Sequence, residues 1–258
     1  MQRVVNTPLG LLRGLALSTV AAVMLSACSI NSAPITAPDF SNMNPGQTQQ
    51  TLASLTARYK ANPRDKTTII YYAAALRGAD QNDQAMAVLE AALAIYKNDT
   101  DIDVAYAKAL TADGRFDQAL NVINDAIDPT APAWNALSVK GAILDQMGRN
   151  DEARKYYTQA LLIAPQEASL EANLGLSYAM TQDLDNAEAH LRRAVQMRGA
   201  NSRIRQNLAL VIGMQGRFDE ARAMFAAELP PDQVEANMAY VKSMLTQQNR
   251  WSAIQGHK

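Results

Sequence analysis

The residue of this chain best suited to covalent chemistry is Cys28, its only cysteine, because a thiolate is a strong nucleophile. Arg3 and Arg13 precede an acid-free apolar stretch from Leu15 to Leu25, which ends in small residues as Leu25-Ser26-Ala27-Cys28. That stretch is too short to span a bilayer and reads as an export signal. No second thiol exists for an internal disulfide, although an exporting compartment would allow one. The other groups that perform catalysis are scattered. His190 and His257 are the only histidines, and no His/Cys/Asp cluster has the spacing of metal ligands. Every glycine is isolated at a turn or packing position, so phosphate loops are absent, and the carboxylates are spread over helix caps and solvated faces. The expectation is a protein that is not an enzyme, with no catalytic residue, no metal, no cofactor and no small-molecule substrate.

The run ending in Cys28 resembles the lipobox of bacterial lipoprotein signals. The resemblance implies diacylglycerol on the Cys28 sulfur, cleavage before that residue and acylation of the new amine. Three acyl chains anchor stably where a single chain binds only marginally. An aspartate after the cysteine would imply retention at the inner membrane; Ser29 stands there, which implies the outer membrane, facing the periplasm. Residues 1–27 are then the signal peptide. Residues 28–47 contain Pro34, Pro38 and Pro45 with no apolar periodicity, and read as a lipidated flexible tether. Its roughly 18 residues would hold their ends about 25 Å apart.

Beyond the tether the chain repeats itself. Ala85, Ala119, Ala153, Ala187 and Ala221 recur every 34 residues, each two positions after Asp83, Asp117, Asp151, Asp185 or Asp219. Five matches without an insertion mean a solenoid. With each alanine at position 20, the units run 66–99, 100–133, 134–167, 168–201 and 202–235. Position 8 is then Ala73, Ala107, Gly141, Gly175 and Ala209, and position 11 is Leu76, Leu110, Leu144, Tyr178 and Ile212. Position 24 is Leu89, Ile123, Tyr157, Leu191 and Phe225, and position 27 is alanine until Glu228. Small residues at 8 and 20 let two antiparallel helices approach, and bulky ones at 11 and 24 fill the space between pairs. Gly114, Gly148 and Gly216 supply the turn, and the aspartates restart the chain at or in the first turn of the second helix, where they can accept orphan N–H groups. Pro129, Pro132, Pro230 and Pro231 are expected to distort individual repeats.

These residues, most clearly Asn173-Leu174-Gly175 with Tyr178, Ala187, Leu191 and Ala194, resemble the tetratricopeptide repeat. The family implies an all-α fold, a right-handed superhelical solenoid of antiparallel helix pairs. A half-repeat helix over 48–65 precedes the five repeats of 66–235. Met238, Val241 and Leu245, at helical spacing, give a capping helix over 236–247, followed by a polar tail over 248–258 that holds Trp251 and Ile254.

Without its first 27 residues the chain carries 22 basic against 25 acidic residues, so nucleic acid meets no basic face. Function falls to the concave surface, lined in this architecture by positions 2, 5, 9, 12 and 13 of the first helices. In the last two repeats this puts Leu176, Met180, Arg203, Gln206, Leu210 and Met214 in a candidate peptide-binding groove for an amphipathic helix or extended segment, unless some pack on the next repeat instead. Arg77, Asp101, Lys108 and Asp145 give the earlier repeats a more mixed surface. Relatives that grip a terminal carboxylate use Lys and Asn at positions 5 and 9; position 5 here is Ile70, Val104, Ser138, Ala172 and Gln206, so an internal segment is the expected ligand.

One further resemblance covers the C-terminal part. Asn207-Leu208-Ala209-Leu210-Val211 through Gly216-Arg217-Phe218-Asp219-Glu220-Ala221, then Leu229-Pro230-Pro231 and Ala236-Asn237-Met238-Ala239-Tyr240, is similar to TadD-type lipoproteins of tight-adherence (Flp) pilus assembly. It implies a protein partner such as a secretin or another pilus component. The alternatives are an adaptor in outer-membrane protein assembly and a scaffold recruiting peptidoglycan enzymes.

Overall fold

A computed structural model of the chain describes residues 33–38, Phe40 and residues 43–255, with side chains as far as Thr246. The expectations for the signal, Cys28, Ser29, His257 and the side chains of Trp251 and Ile254 fall outside these residues. Apart from Ala33, the described residues belong to one compact unit, Pro34–Lys258.

Among the described residues there are twelve α-helices and no strand. Helix α1 (Pro45–Ala61) precedes five hairpins: α2 (Lys66–Gly78) with α3 (Asn82–Ile95), α4 (Thr100–Ala112) with α5 (Phe116–Ala126), α6 (Trp134–Gln146) with α7 (Asn150–Ile163), α8 (Ala168–Met180) with α9 (Leu184–Gln196), and α10 (Ser202–Met214) with α11 (Phe218–Ala226). Helix α12 (Pro231–Gln255) closes the series.

Each hairpin turns through the same hydrogen-bonded motif. The residue at position 15 has left-handed φ in all five, and it is glycine only at Gly114, Gly148 and Gly216; Asp80 (φ 57°) and Gln182 (φ 65°) do the same work in the first and fourth. In every case the next N–H donates back to the position-11 carbonyl, as from Arg115 to Leu110 at 2.9 Å and from Asp183 to Tyr178 at 3.1 Å. This is the Schellman arrangement, which satisfies carbonyls that a helix end leaves orphaned. The aspartate column does not cap the second helices. Asp83, Asp117, Asp151, Asp185 and Asp219 stand second in them, where a negative charge favours the helix dipole. The preceding residues Gln81, Arg115, Arg149 and Arg217 make no side-chain cap, and only Asp183 accepts a first-turn N–H, from Asn186.

Packing inside a hairpin is close enough that the absence of a methyl group matters. Ala85, Ala119, Ala153, Ala187 and Ala221 are all fully buried, as are the large position-24 side chains from Leu89 to Phe225. A Cβ on Gly141 would stand 2.7 Å from the Tyr157 ring, and one on Gly175 would stand 2.9 Å from Leu191 Cγ and 3.0 Å from the Ala187 carbonyl oxygen. The second helices bury one stripe each, such as Ala187, Leu191 and Ala194. The first helices are buried almost all round, because each is pressed by its own partner and by both neighbouring units. The prolines act by shortening: α5 stops at Ala126 before Pro129 and α11 at Ala226 before Pro230, while Pro231 takes the first position of α12, where its missing N–H loses nothing.

Two boundaries differ from the sequence reading. The segment expected to be a free tether up to residue 47 is laid on the repeats from residue 35. The Ile35 N–H donates to Asp101 Oδ1 at 3.1 Å, Ile35 and Ala37 pack on the first core cluster, and Phe40 lies over Gly78. Its apolar side chains follow no regular period, yet they find apolar cover. Helix α1 then starts at Pro45 through a capping box between Asn44 and Gln47. At the other end, Val234, Met238 and Val241 are buried against the last hairpin, but the helix does not stop after residue 247. It runs to Gln255, because no proline or glycine interrupts the sequence before Gly256.

Substituting Gly141→Ala is expected to destabilise the fold by about 1–3 kcal/mol, since the buried Tyr157 ring has nowhere to retreat. That loss outweighs the roughly 1 kcal/mol that alanine adds to helix propensity. Gln182→Gly should stabilise by about 0.5–1 kcal/mol through relief of the left-handed backbone. Denaturant titration of the two variants checks both signs.

Candidate protein-binding groove

Successive first helices touch one another along the stack, α2 with α4, α4 with α6, α6 with α8, α8 with α10 and α10 with α12. Successive second helices have no Cα atoms within 8 Å of each other. Closer spacing on one side curves the stack, and the first helices form its inner wall. The ends are fixed by polar contacts as well. Lys66 at the start of α2 bridges Asp99 at 2.9 Å and Asp101 at 3.0 Å, and Asp99 caps α4 by accepting the N–H groups of Asp101 and Ile102.

The six residues expected in the groove have unequal positions. Met180 is 51% exposed, Arg203 is exposed, and Leu176, Gln206 and Leu210 are half-buried. Met214 is buried at 7% exposure and does not offer a free surface. Gln206 and Leu210 do come together, around a shallow pocket of about 130 Å³ that Asn207, Phe225, Asn237 and Tyr240 complete. Leu176, Met180, Arg203 and Met214 do not line it. The contributions of Asn237 and Tyr240 could have been found by carrying the repeat register one unit further, since α12 sits where a sixth first helix would.

The middle of the inner wall is structural. Asp145, expected on the surface, is 5% exposed and accepts three hydrogen bonds, from Asn150 Nδ2 at 2.8 Å, Ser177 Oγ at 2.8 Å and the Tyr157 hydroxyl at 3.0 Å. It ties the third hairpin to the fourth. Burial, with the Asp145 charge second, pushes the Tyr157 phenol far above its ordinary value. His190 is likewise engaged: its Nδ1 lies 2.6 Å from Glu171 Oε2, and its ring stacks on Tyr178 with centroids 5.3 Å apart. Among the described residues no group of three or more His, Cys, Asp or Glu side chains is placed to hold a metal ion.

Lys108 on α4 differs in being a half-buried cation. Burial first, and the Arg77 charge second, bring its ammonium down to about 8. A base whose folded pKa lies below its unfolded value weakens folding wherever the unfolded chain is protonated; here the penalty is complete below about pH 8 and vanishes as pH rises to about 10.5.

No curated protein matches the sequence. Profiles of the tetratricopeptide repeat match residues 76–140, 139–203 and 174–236, well over half of the chain when taken together. The chain belongs to the tetratricopeptide-repeat family. Several solved structures share the tetratricopeptide-repeat fold. The human IFIT1 dimer with m7Gppp-AAAA is 17% identical over 77% of this chain and 49% of that one, with a TM-score of 0.60. The APC/C hetero-tetramer Cut9-Hcn1 is 16% identical over 82% of this chain and 41% of that one, with a TM-score of 0.59. A tetratricopeptide repeat protein from Parabacteroides merdae is 17% identical over 80% and 83%, with a TM-score of 0.54. The chain thus spans less than half the length of the first two, and at these identities the likeness is one of fold. Tetratricopeptide-repeat proteins typically act as non-catalytic scaffolds that bind other proteins.

Asp145→Ala should destabilise by about 1–3 kcal/mol, because two buried donors, Ser177 and Tyr157, and the half-buried Asn150 lose their acceptor. Lys108→Met should stabilise the protein at pH 7 by about 1–3 kcal/mol, a gain that fades between pH 8 and 10.5. Urea unfolding of both variants across that range is the measurement.

Proposed function

We propose that this protein is an outer-membrane-anchored periplasmic scaffold, held by lipid on Cys28, that acts as a pilotin-like accessory factor in assembly of a tight-adherence (Flp) pilus machine. The observation that carries the binding part is the apolar, incompletely covered stretch of inner wall in the last two repeats. Leu176 and Leu210 are half-buried and Met180 is half exposed, and Leu210 borders the shallow pocket that it shares with Asn237 and Tyr240. An unfilled apolar surface on a rigid wall suits an amphipathic helix or an extended segment, and the flexible thioether of Met180 adapts to either. The anchoring part is supported by the run Leu15–Cys28, and the pilus part by the likeness of residues 207–240 to TadD-type lipoproteins. The partner in this reading is a segment of the secretin, or of another pilus component. Fixing the wall beneath the bilayer raises the effective concentration of that segment where the channel assembles. Adaptor work in outer-membrane protein assembly and recruitment of peptidoglycan enzymes remain the rivals, and neighbouring genes for a pilus ATPase, a secretin and a small prepilin separate the first reading from these.

Replacing Leu176 and Leu210 together by glutamate should lower secretin multimers and surface pili to the level of a gene deletion, with the melting temperature little changed. Unaltered multimers and pili in the deletion strain would remove the pilus reading. Mass spectrometry of the mature protein should find an acylated Cys28 at its amino terminus, and an unmodified sulfur there contradicts the anchor.

A further inference from the structure

At the opposite end of the stack the inner wall meets an extended chain, and there the occupant is visible. Residues 34–38 and Phe40 adopt no helix or strand and run along α2, from the start of α4 to the last turn of α2. They touch the wall in the manner of a bound peptide. A main-chain group, the Ile35 N–H, donates to a side-chain acceptor, Asp101 Oδ1, at 3.1 Å. Apolar side chains at Ile35 and Ala37 settle on the core cluster of the first repeats. Phe40 rests against Gly78, where a Cβ would come within 3.2 Å of the Phe40 Cβ and 3.3 Å of its carbonyl oxygen. Asp101 and Gly78 hold positions 2 and 13 of their repeats, both on the inner wall. In the register of Gly78 the other four repeats carry Ala112, Gln146, Met180 and Met214, so this is the one repeat whose wall is bare there.

The fit is also incomplete. None of the described residues between 34 and 40 is fully buried, and beside Pro38 and Phe40 an open cavity of about 390 Å³ remains against Leu55, Arg58 and Tyr71. That volume falls in the range of ligand pockets. A small, partly buried contact of this kind opens locally far more easily than the helices beneath it.

We infer that the inner wall of the first two repeats is a binding site for extended, apolar, proline-containing peptide segments, and that residues 34–38 and Phe40 fill it in cis until a partner's segment of the same chemistry displaces them. Recognition combines one main-chain hydrogen bond with shallow apolar contacts, a mode that tolerates different sequences. The site is separate from the wall of repeats four and five, and it does not depend on the pilus reading.

The test uses the full-length chain with Cys28→Ser, so that introduced cysteines are the only thiols, and a fluorescein-labelled synthetic peptide of residues 33–40 as the probe. Three forms are compared by fluorescence polarisation: this parent, a form with residues 34–40 replaced by glycine and serine, and a form carrying Phe40→Cys with Gly78→Cys. The Cβ positions of that pair lie close to the separation a disulfide spans. The peptide should bind the glycine–serine form at least tenfold more tightly than the parent, fail to bind the oxidised cysteine form, and bind it measurably after reduction, more weakly than the glycine–serine form because Gly78→Cys puts a side chain on the bare wall. Adding Asp101→Ala to the glycine–serine form should weaken binding about tenfold. Equal binding to all forms, or no binding to a glycine–serine form whose circular dichroism matches the parent, overturns the inference. If that form does not fold, the cysteine pair alone decides: binding only after reduction supports the inference, and equal binding in both redox states overturns it.

Discussion

The fold rests on one steric condition: within each hairpin, one helix must present almost no side chain where the other presents a large one. Gly141 faces the Tyr157 ring and Gly175 faces Leu191, at distances that leave no room for a methyl group. The fully buried alanines of the second helices meet the same requirement from the other side. When this contact recurs every 34 residues, every hairpin has nearly the same shape, so each docks on its neighbour through the same step. Identical steps leave the first helices close together and the second helices apart, which creates the inner wall. Binding is thus a consequence of hairpin packing and needs no separately built pocket.

The wall is not uniform along its length. Its beginning is covered by the chain's own extended segment, its middle is stitched by the buried Asp145 hub, and its last two repeats leave Leu176, Met180 and Leu210 partly uncovered. The polar middle has a clear physical purpose. Asp145 satisfies donors from two hairpins at once, so the third and fourth units cannot slide past each other without stranding buried hydrogen-bonding groups. Helix α12 occupies the place of a further first helix and covers the apolar surface the last hairpin would otherwise expose, placing Val241 where a Cβ on Gly213 would meet it at 2.8 Å.

Features set by contacts inside one hairpin were legible in the sequence, because they repeat at fixed spacing. The alanine column, the position-24 side chains and the three glycine turns all belong to this class. Features that arise between distant segments left no such trace. Ile35 reaches Asp101 across 66 residues, and nothing periodic in residues 28–47 marks that contact. Asp145 reads as a surface carboxylate until Ser177 and Asn150 are seen to enclose it. The turns at Asp80 and Gln182 escaped for another reason: they take the left-handed conformation without the residue that signals it, since the Schellman hydrogen bonds and the packing on either side hold them there. In the groove itself, half-buried positions such as Leu176 and Leu210 were separable from a buried one, Met214, only in the folded chain, because all of them hold inner positions in the repeat.

In the proposed function the inner wall, and not the outer face, is the working surface. Photo-crosslinking in living cells distinguishes the two, with a photoreactive amino acid placed at Leu176 or Leu210 on the inner side and at Leu162, which is 81% exposed on the second helix α7. Both inner positions should trap the same envelope protein, and Leu162 should trap none. Crosslinking of a partner from Leu162, with silence at Leu176 and Leu210, would contradict an inner working surface.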